Sequence, residues 1–232
     1  MFNRILLSAC VAGILAALAL TVVQHVWVAP LILQAETYED AAQAGVEEHD
    51  AHHAEHQHES AWQPENGWQR TLSTAISNSV MGIGFALILC GMYTLRRPPG
   101  VAQGLGWGLA GYVIFFAAPA IGLPPDLPGT AAAELAARQY WWLGTAAATA
   151  AGLGLIFLQP RKAFKVGGVL LLAVPHLIGA PHPAVPQSLA PETLQTQFRL
   201  TTIFINAAFW VMLGLLSAAS YRHFSRQAGD AE

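Results

Sequence analysis

Charge is what this sequence of 232 residues has least of. Only 11% of its residues are Asp, Glu, Lys or Arg, while 54% are hydrophobic. A soluble domain carries about 25% charged residues, so an ordinary water-soluble fold is excluded. The net charge of −3 says little by itself, because the charges sit in short clusters between long uncharged runs. Cysteine is nearly absent. Cys10 and Cys90 lie inside apolar runs with no partner pattern, and read as packing residues rather than a disulfide or a site. No Ser/His/Asp arrangement, phosphate loop, ATP-binding motif or DNA-binding pattern is visible, so no nucleic-acid partner is expected. Gly106 to Gly111 formally matches G-x-G-x-x-G, but it sits in an apolar run with no strand before it, which removes the dinucleotide reading. Gly104 with Gly108, and Ala9, Gly13 and Ala17, suit close helix contacts instead.

What the chain has in abundance is long uncharged stretches, and runs of about 18 or more such residues read as membrane helices. The expected fold is all-α: one polytopic membrane domain over residues 1–232. Six spans are read, at about 5–28, 72–95, 101–122, 140–158, 166–180 and 201–221. Between the first two lies a loop, 30–70, rich in His and acidic residues. A cleaved signal peptide is the rival for the first span, since Arg4 and the apolar core fit one. The run is long, however, and Gln24 and His25 arrive before a convincing small-residue cleavage site. The third span ends in Gly122-Leu123-Pro124-Pro125-Asp126-Leu127-Pro128-Gly129, which cannot continue a helix. Trp141 and Trp142 fit interfacial positions at the start of the fourth. The fifth is short and broken by Pro175.

Basic residues orient the spans. With the N-terminus inside, the inner segments hold Arg4, Arg96, Arg97, Arg161, Lys162, Lys165, Arg222 and Arg226, and the outer ones Arg70, Arg138 and Arg199. Eight against three is a positive-inside bias, which puts both termini in the cytoplasm and the histidine loop outside. Five spans follow if the fifth segment is re-entrant, but then Arg222 and Arg226 face outward.

Within the loop, His49, His52, His53, His56 and His58 lie among Asp50, Glu55 and Glu59. Imidazole is the commonest ligand of late first-row metals. If helical, His49, His52, His53 and His56 share one face, at i, i+3, i+4 and i+7. The spacing lacks the Cys/His pattern of a structural zinc site, so weak or transient metal binding is the reading, against a solvated polar loop. No acid or base lies deep in any span, which argues against a relay of buried carboxylates. The polar residues that do occur, Gln24, His25, Asn78, His176 and Asn206, all sit toward the loop's face, with His182, a further candidate metal ligand, just outside. Polar groups in lipid need a partner or a wet cavity. Asn78 and Asn206 read as bonds between helices. His25 and His176, the latter beside the bend expected at Pro175, read as metal ligands, able to bracket one ion if spans one and five pack together.

Several stretches resemble the cobalt transporter subunit family CbtA. They are Gln24 through Pro30-Leu31-Ile32 to Ala35-Glu36-Thr37-Tyr38-Glu39, the Leu123 to Gly129 turn, Gln139-Tyr140-Trp141-Trp142, Pro175-His176-Leu177-Ile178-Gly179-Ala180-Pro181, and Asn206-Ala207-Ala208-Phe209-Trp210. The resemblance spans almost the whole chain and rests on the order of short segments. It implies a permease subunit for divalent cobalt, linked to cobalamin, in the bacterial cytoplasmic membrane. It also implies a small one-span companion subunit, CbtB, carrying histidine. The family is usually described with five spans. On this reading the loop gathers ions, His25 and His176 pass them inward, and Glu36 and Glu39 add charge at the mouth, with no tightly bound cofactor and no enzymatic activity. Imidazole and carboxylate do not separate cobalt from nickel. Two other readings are a membrane-anchored metal sensor or assembly factor, and a membrane enzyme with a histidine-bound metal or haem.

Overall fold

The computed structural model describes residues 2–47, 64–95 and 100–229. They form helices throughout: α1 (Phe2–Val23), α2 (Ala29–Glu47), α3 (Trp68–Leu95), α4 (Val101–Tyr112), α5 (Ala118–Gly122), α6 (Leu135–Leu158), α7 (Lys162–Ile178) and α8 (Glu192–Gly229). Among the described residues the sole β feature is an isolated antiparallel bridge, Thr130 to Ser188. Five continuous helical stretches are long and apolar enough to cross a membrane: Phe2–Ala44, Trp68–Leu95, Val101–Gly122, Leu135–Leu158 and Glu192–Gln227. The expected all-α membrane bundle is therefore what the chain forms.

Two of those stretches run through a proline, and each does so by the same device. Gln24–Val28 and Val113–Ala117 are single π-helical turns, lying just before Pro30 and Pro119. Proline has no N–H to give and its ring collides with the carbonyl four residues back. Widening the helix relieves this: the N–H of Ala29 reaches the Gln24 carbonyl, and that of Ala118 the Val113 carbonyl, five residues back in each case. This corrects the expected loop over 30–70. Pro30 does not end the first helix; α2 carries it on to Glu47, and α3 already begins at Trp68. A helical stretch of 43 residues is about twice what a bilayer core needs, so α2 projects beyond it and carries Glu36, Glu39 and Asp40 outward.

The packing is that of a membrane protein, small residues inside and large ones outside. On α1, Ala9, Ala12 and Ala16 are fully buried, whereas Leu7, Leu15, Leu18 and Val22 are about half exposed or more. Lipid is as apolar as leucine, so close backbone approach rather than burial of large groups drives assembly. The α1–α3 contact runs through Gly13 and Gly82: a Cβ on Gly13 would lie 2.5 Å from the Ile83 nitrogen. The α4–α8 contact runs through Gly104 and Gly108 against Gly214 and Trp210. Both small-residue sets expected to make helix contacts, Gly104 with Gly108 and the Ala9, Gly13, Ala17 row, do so. Phe115 on the second π turn stacks on Trp210 of α8, and Phe85 of α3 packs tilted against both.

Helices α6 and α7 form an antiparallel hairpin on the side of this bundle. The Trp141 indole donates to the Pro175 carbonyl at 3.3 Å at one end, and Gly152 abuts Gly168 further along. The hairpin joins the bundle through Phe115 with Trp142 and through Gly122 with Trp141. Helix α7 has 17 residues, about 26 Å of rise, shorter than the five long stretches. It nonetheless returns the chain to the end from which α6 left, so the chain runs the length of the bundle six times. Both termini accordingly meet at one end, where Arg4 Nη2 donates to the Tyr221 hydroxyl at 3.0 Å and its guanidinium lies 4.9 Å from the ring centre.

Candidate functional site

At the opposite end, a cavity of about 600 Å³ opens between α1, the first π turn, α2 and the start of α3. Its walls include Thr21, Gln24, His25, Asn66, Arg70, Thr71 and Asn78. The floor is a hydrogen-bonded chain. Asn78, only 7% exposed, donates from Nδ2 to Thr21 Oγ1 at 3.0 Å and to Gln24 Oε1 at 2.7 Å. Thr21 donates in turn to the Ala17 carbonyl at 2.8 Å. Asn78 thus bridges helices as expected, at a depth where an unpartnered amide would be costly.

The π turn sets the position of His25. An extra residue in the turn advances the following side chains around the helix, and π turns recur at functional sites for that reason. His25 is exposed, and its Nδ1 lies 3.3 Å from Thr71 Oγ1, which also lies 3.0 Å from the Gly67 carbonyl. When the hydroxyl hydrogen goes to Gly67, Nδ1 is the donor and the Nε2 lone pair is left for a ligand. Above it, Arg70 donates to Glu36 from both terminal nitrogens, Nη2 at 2.6 and Nη1 at 3.1 Å, and from Nη1 to Asn66 Oδ1 at 2.7 Å. Glu36 is therefore compensated, and the cavity combines one imidazole with amide and hydroxyl oxygens at no net fixed charge. Such a set suits a divalent ion that keeps some of its waters, rather than a closed cage.

The other expected ligands are dispersed. Glu39 is half-buried on α2, one turn beyond Glu36, and does not line the cavity. His176 ends α7, edge-on to Trp141 with ring centres 6.0 Å apart. His25 and His176 do not come together, because α7 packs on α6 whereas α1 packs on α3 and α8. The idea that they bracket one ion fails on this arrangement of helices. His182 is exposed in a second, larger basin with Arg138 and Arg199. Asn206 bonds the Thr202 carbonyl of its own helix at 3.0 Å, not a neighbouring helix as expected. His49, His52, His53, His56 and His58 lie outside the described residues, and among those described no three His, Cys, Asp or Glu side chains form a metal-holding group. Sequence reasoning missed Thr21, Thr71 and Arg70; the signal for Arg70 and Thr71 was one arginine and a row of hydroxyls at the start of α3, while Thr21 near the end of α1 carried none.

No curated protein and no solved structure matches the chain. One family model does, over residues 2–222, which takes in every helix that builds the cavity and the hairpin. On that match the chain belongs to the CbtA family, whose description is probable cobalt transporter subunit.

Proposed function

We propose that this chain is the membrane-embedded subunit of a permease that carries divalent cobalt inward, with the cavity around His25 as the first intramembrane stop. The observation that supports this is where the cavity lies. Its walls include Pro64, Asn66 and Gly67, residues that directly follow the histidine-rich segment, and Gln24 and His25 from the helix that leads into it. On this reading, metal gathered by His49, His52, His53, His56 and His58 passes to His25. The acidic residues Glu39 and Asp40 on α2 add negative charge on the same side. A single imidazole in the lining leaves the coordination incomplete, and a one-span companion subunit bearing histidine would supply what is missing. The eight-to-three distribution of basic residues supports placing the cavity and loop outside the cytoplasm, in the bacterial cytoplasmic membrane.

Initial cobalt uptake against concentration, corrected for protein in the membrane, tests this. His25→Ala should lower the maximal rate at least several-fold. Replacing the five loop histidines together should lower uptake only when metal is scarce, since it removes a gathering step. A full maximal rate in His25→Ala would move the ion path elsewhere, and unchanged uptake at every concentration in the loop variant would leave the loop without a part. Loss of metal-dependent regulation with uptake unchanged in both would favour a sensor instead.

A further inference from the structure

The larger basin, about 1110 Å³, has the opposite electrostatic character. It is framed by the loops after α5 and α7 and by the first two turns of α6. Two arginines line it. Arg199 is matched by Asp126 at 2.6 Å. Arg138 has no carboxylate within ion-pair distance and no side-chain hydrogen bond among the described residues. The Nε atoms of both are buried without a partner. A guanidinium with buried, unsatisfied nitrogen is costly until an anion takes its donors, and its planar fork fits phosphate or carboxylate oxygens. This surplus of one positive charge makes the basin a poor place for a divalent cation.

The depth and the rim say what kind of anion fits. Arg138 precedes Tyr140, Trp141 and Trp142, and Tyr140 is 77% exposed, as in the aromatic belt at headgroup level. The rim continues into Leu135 and Leu143, which line the basin yet are 60% and 57% exposed. A ligand that satisfies Arg138 while covering these leucines carries an anion and hydrocarbon in one molecule. We propose that the basin holds the phosphodiester headgroup of an anionic phospholipid on Arg138, with acyl chain over Leu135 and Leu143. Zwitterionic lipid is disfavoured, because Asp126, the carboxylate lining the basin, is already engaged by Arg199 and leaves the ammonium unmatched. Gln139 and Gln187 at the wall offer neutral partners to headgroup hydroxyls.

Native mass spectrometry of the purified full chain tests this, with phosphatidylglycerol, phosphatidylcholine and inorganic phosphate titrated in turn. One phosphatidylglycerol should bind about tenfold tighter than phosphatidylcholine, because both phosphodiesters reach Arg138 but choline sets an unmatched cation beside it. Arg138→Gln should remove that preference, Arg138→Lys should keep part of it, and Arg161→Gln, at the other end of the hairpin, should leave it whole. Equal binding of the two lipids, or an intact preference in Arg138→Gln, would overturn the proposal. Inorganic phosphate that matches or displaces phosphatidylglycerol at equal concentration would reduce the site to a simple anion site and refute the lipid. A lower melting temperature in lipid-free Arg138→Gln, with lipid binding unchanged, would assign Arg138 to a carboxylate of the chain itself.

Discussion

Replacing Asn78 by leucine tests whether the polar floor of the cavity holds the first helix in place. The side chain makes two bonds, to Thr21 and Gln24, both across the α1–α3 contact. Polar bonds between membrane helices are worth about 0.6 kcal/mol each on average and about 1.7 at most, so the two together bound the loss at roughly 1 to 3 kcal/mol. The partners decide where in that range it falls. Thr21 still donates to Ala17, and half-exposed Gln24 lines a cavity roomy enough for water. Neither is orphaned, which puts the cost of Asn78→Leu near the lower end, about 1 kcal/mol. Reversible unfolding in mixed micelles, followed by tryptophan fluorescence, measures it. A double-mutant cycle with Gln24→Leu should return a coupling of at least about 0.6 kcal/mol. Single effects that add with a coupling below about 0.3 kcal/mol would refute the bond as a contributor.

Further outcomes follow from particular contacts. Gly104→Leu should cost about 1 to 3 kcal/mol through overpacking, since a Cβ there would lie 2.5 Å from the Gly214 oxygen, whereas Gly106→Ala, which meets nothing within 4 Å, should be close to neutral in the same unfolding assay. A reporter active only outside the cytoplasm should work when fused near Gly45 or Thr130 and fail near Gly100 or after Arg226; activity after Arg226 would restore five spans and a C-terminus outside. A peptide covering Glu47 to Ser60 should bind cobalt, nickel and zinc modestly by calorimetry, and because ligation needs neutral imidazole the binding should weaken as pH falls through about 6.5.

The π turns were the least legible elements. Pro30 reads as a terminator in any local rule, and only the five-residue carbonyl reach of Ala29 shows how the helix survives it. The consequence falls on function, because the same turn positions His25. The placement of His176 was illegible for a different reason. Its depth along a span followed from hydropathy, but which span lies beside which is a matter of packing partners, and hydropathy has no information on neighbours. The latch between two loops was equally hidden: Gln195, 5% exposed, accepts from the Leu127 N–H and donates to Thr130 and Ser188 at 2.6 and 2.9 Å, tying the loop after α5 to the start of α8 and the loop before it.

Composition and hydropathy alone determined that this chain is a helical membrane bundle, because lipid leaves no other way to satisfy the backbone of uncharged runs about 20 residues long. The glycine and alanine spacings determined that helices would touch along small-residue seams, since close approach requires the absence of side chains. The tertiary structure decided which seams pair, that α7 leans on α6, and that His25 meets Thr71 while His176 meets Trp141. It also decided that Glu36 is spoken for by Arg70 and that Arg138 has no acid within ion-pair distance among the described residues. Those outcomes depend on distances between residues remote in sequence, and a charge acquires its meaning only from what stands within a few ångströms of it.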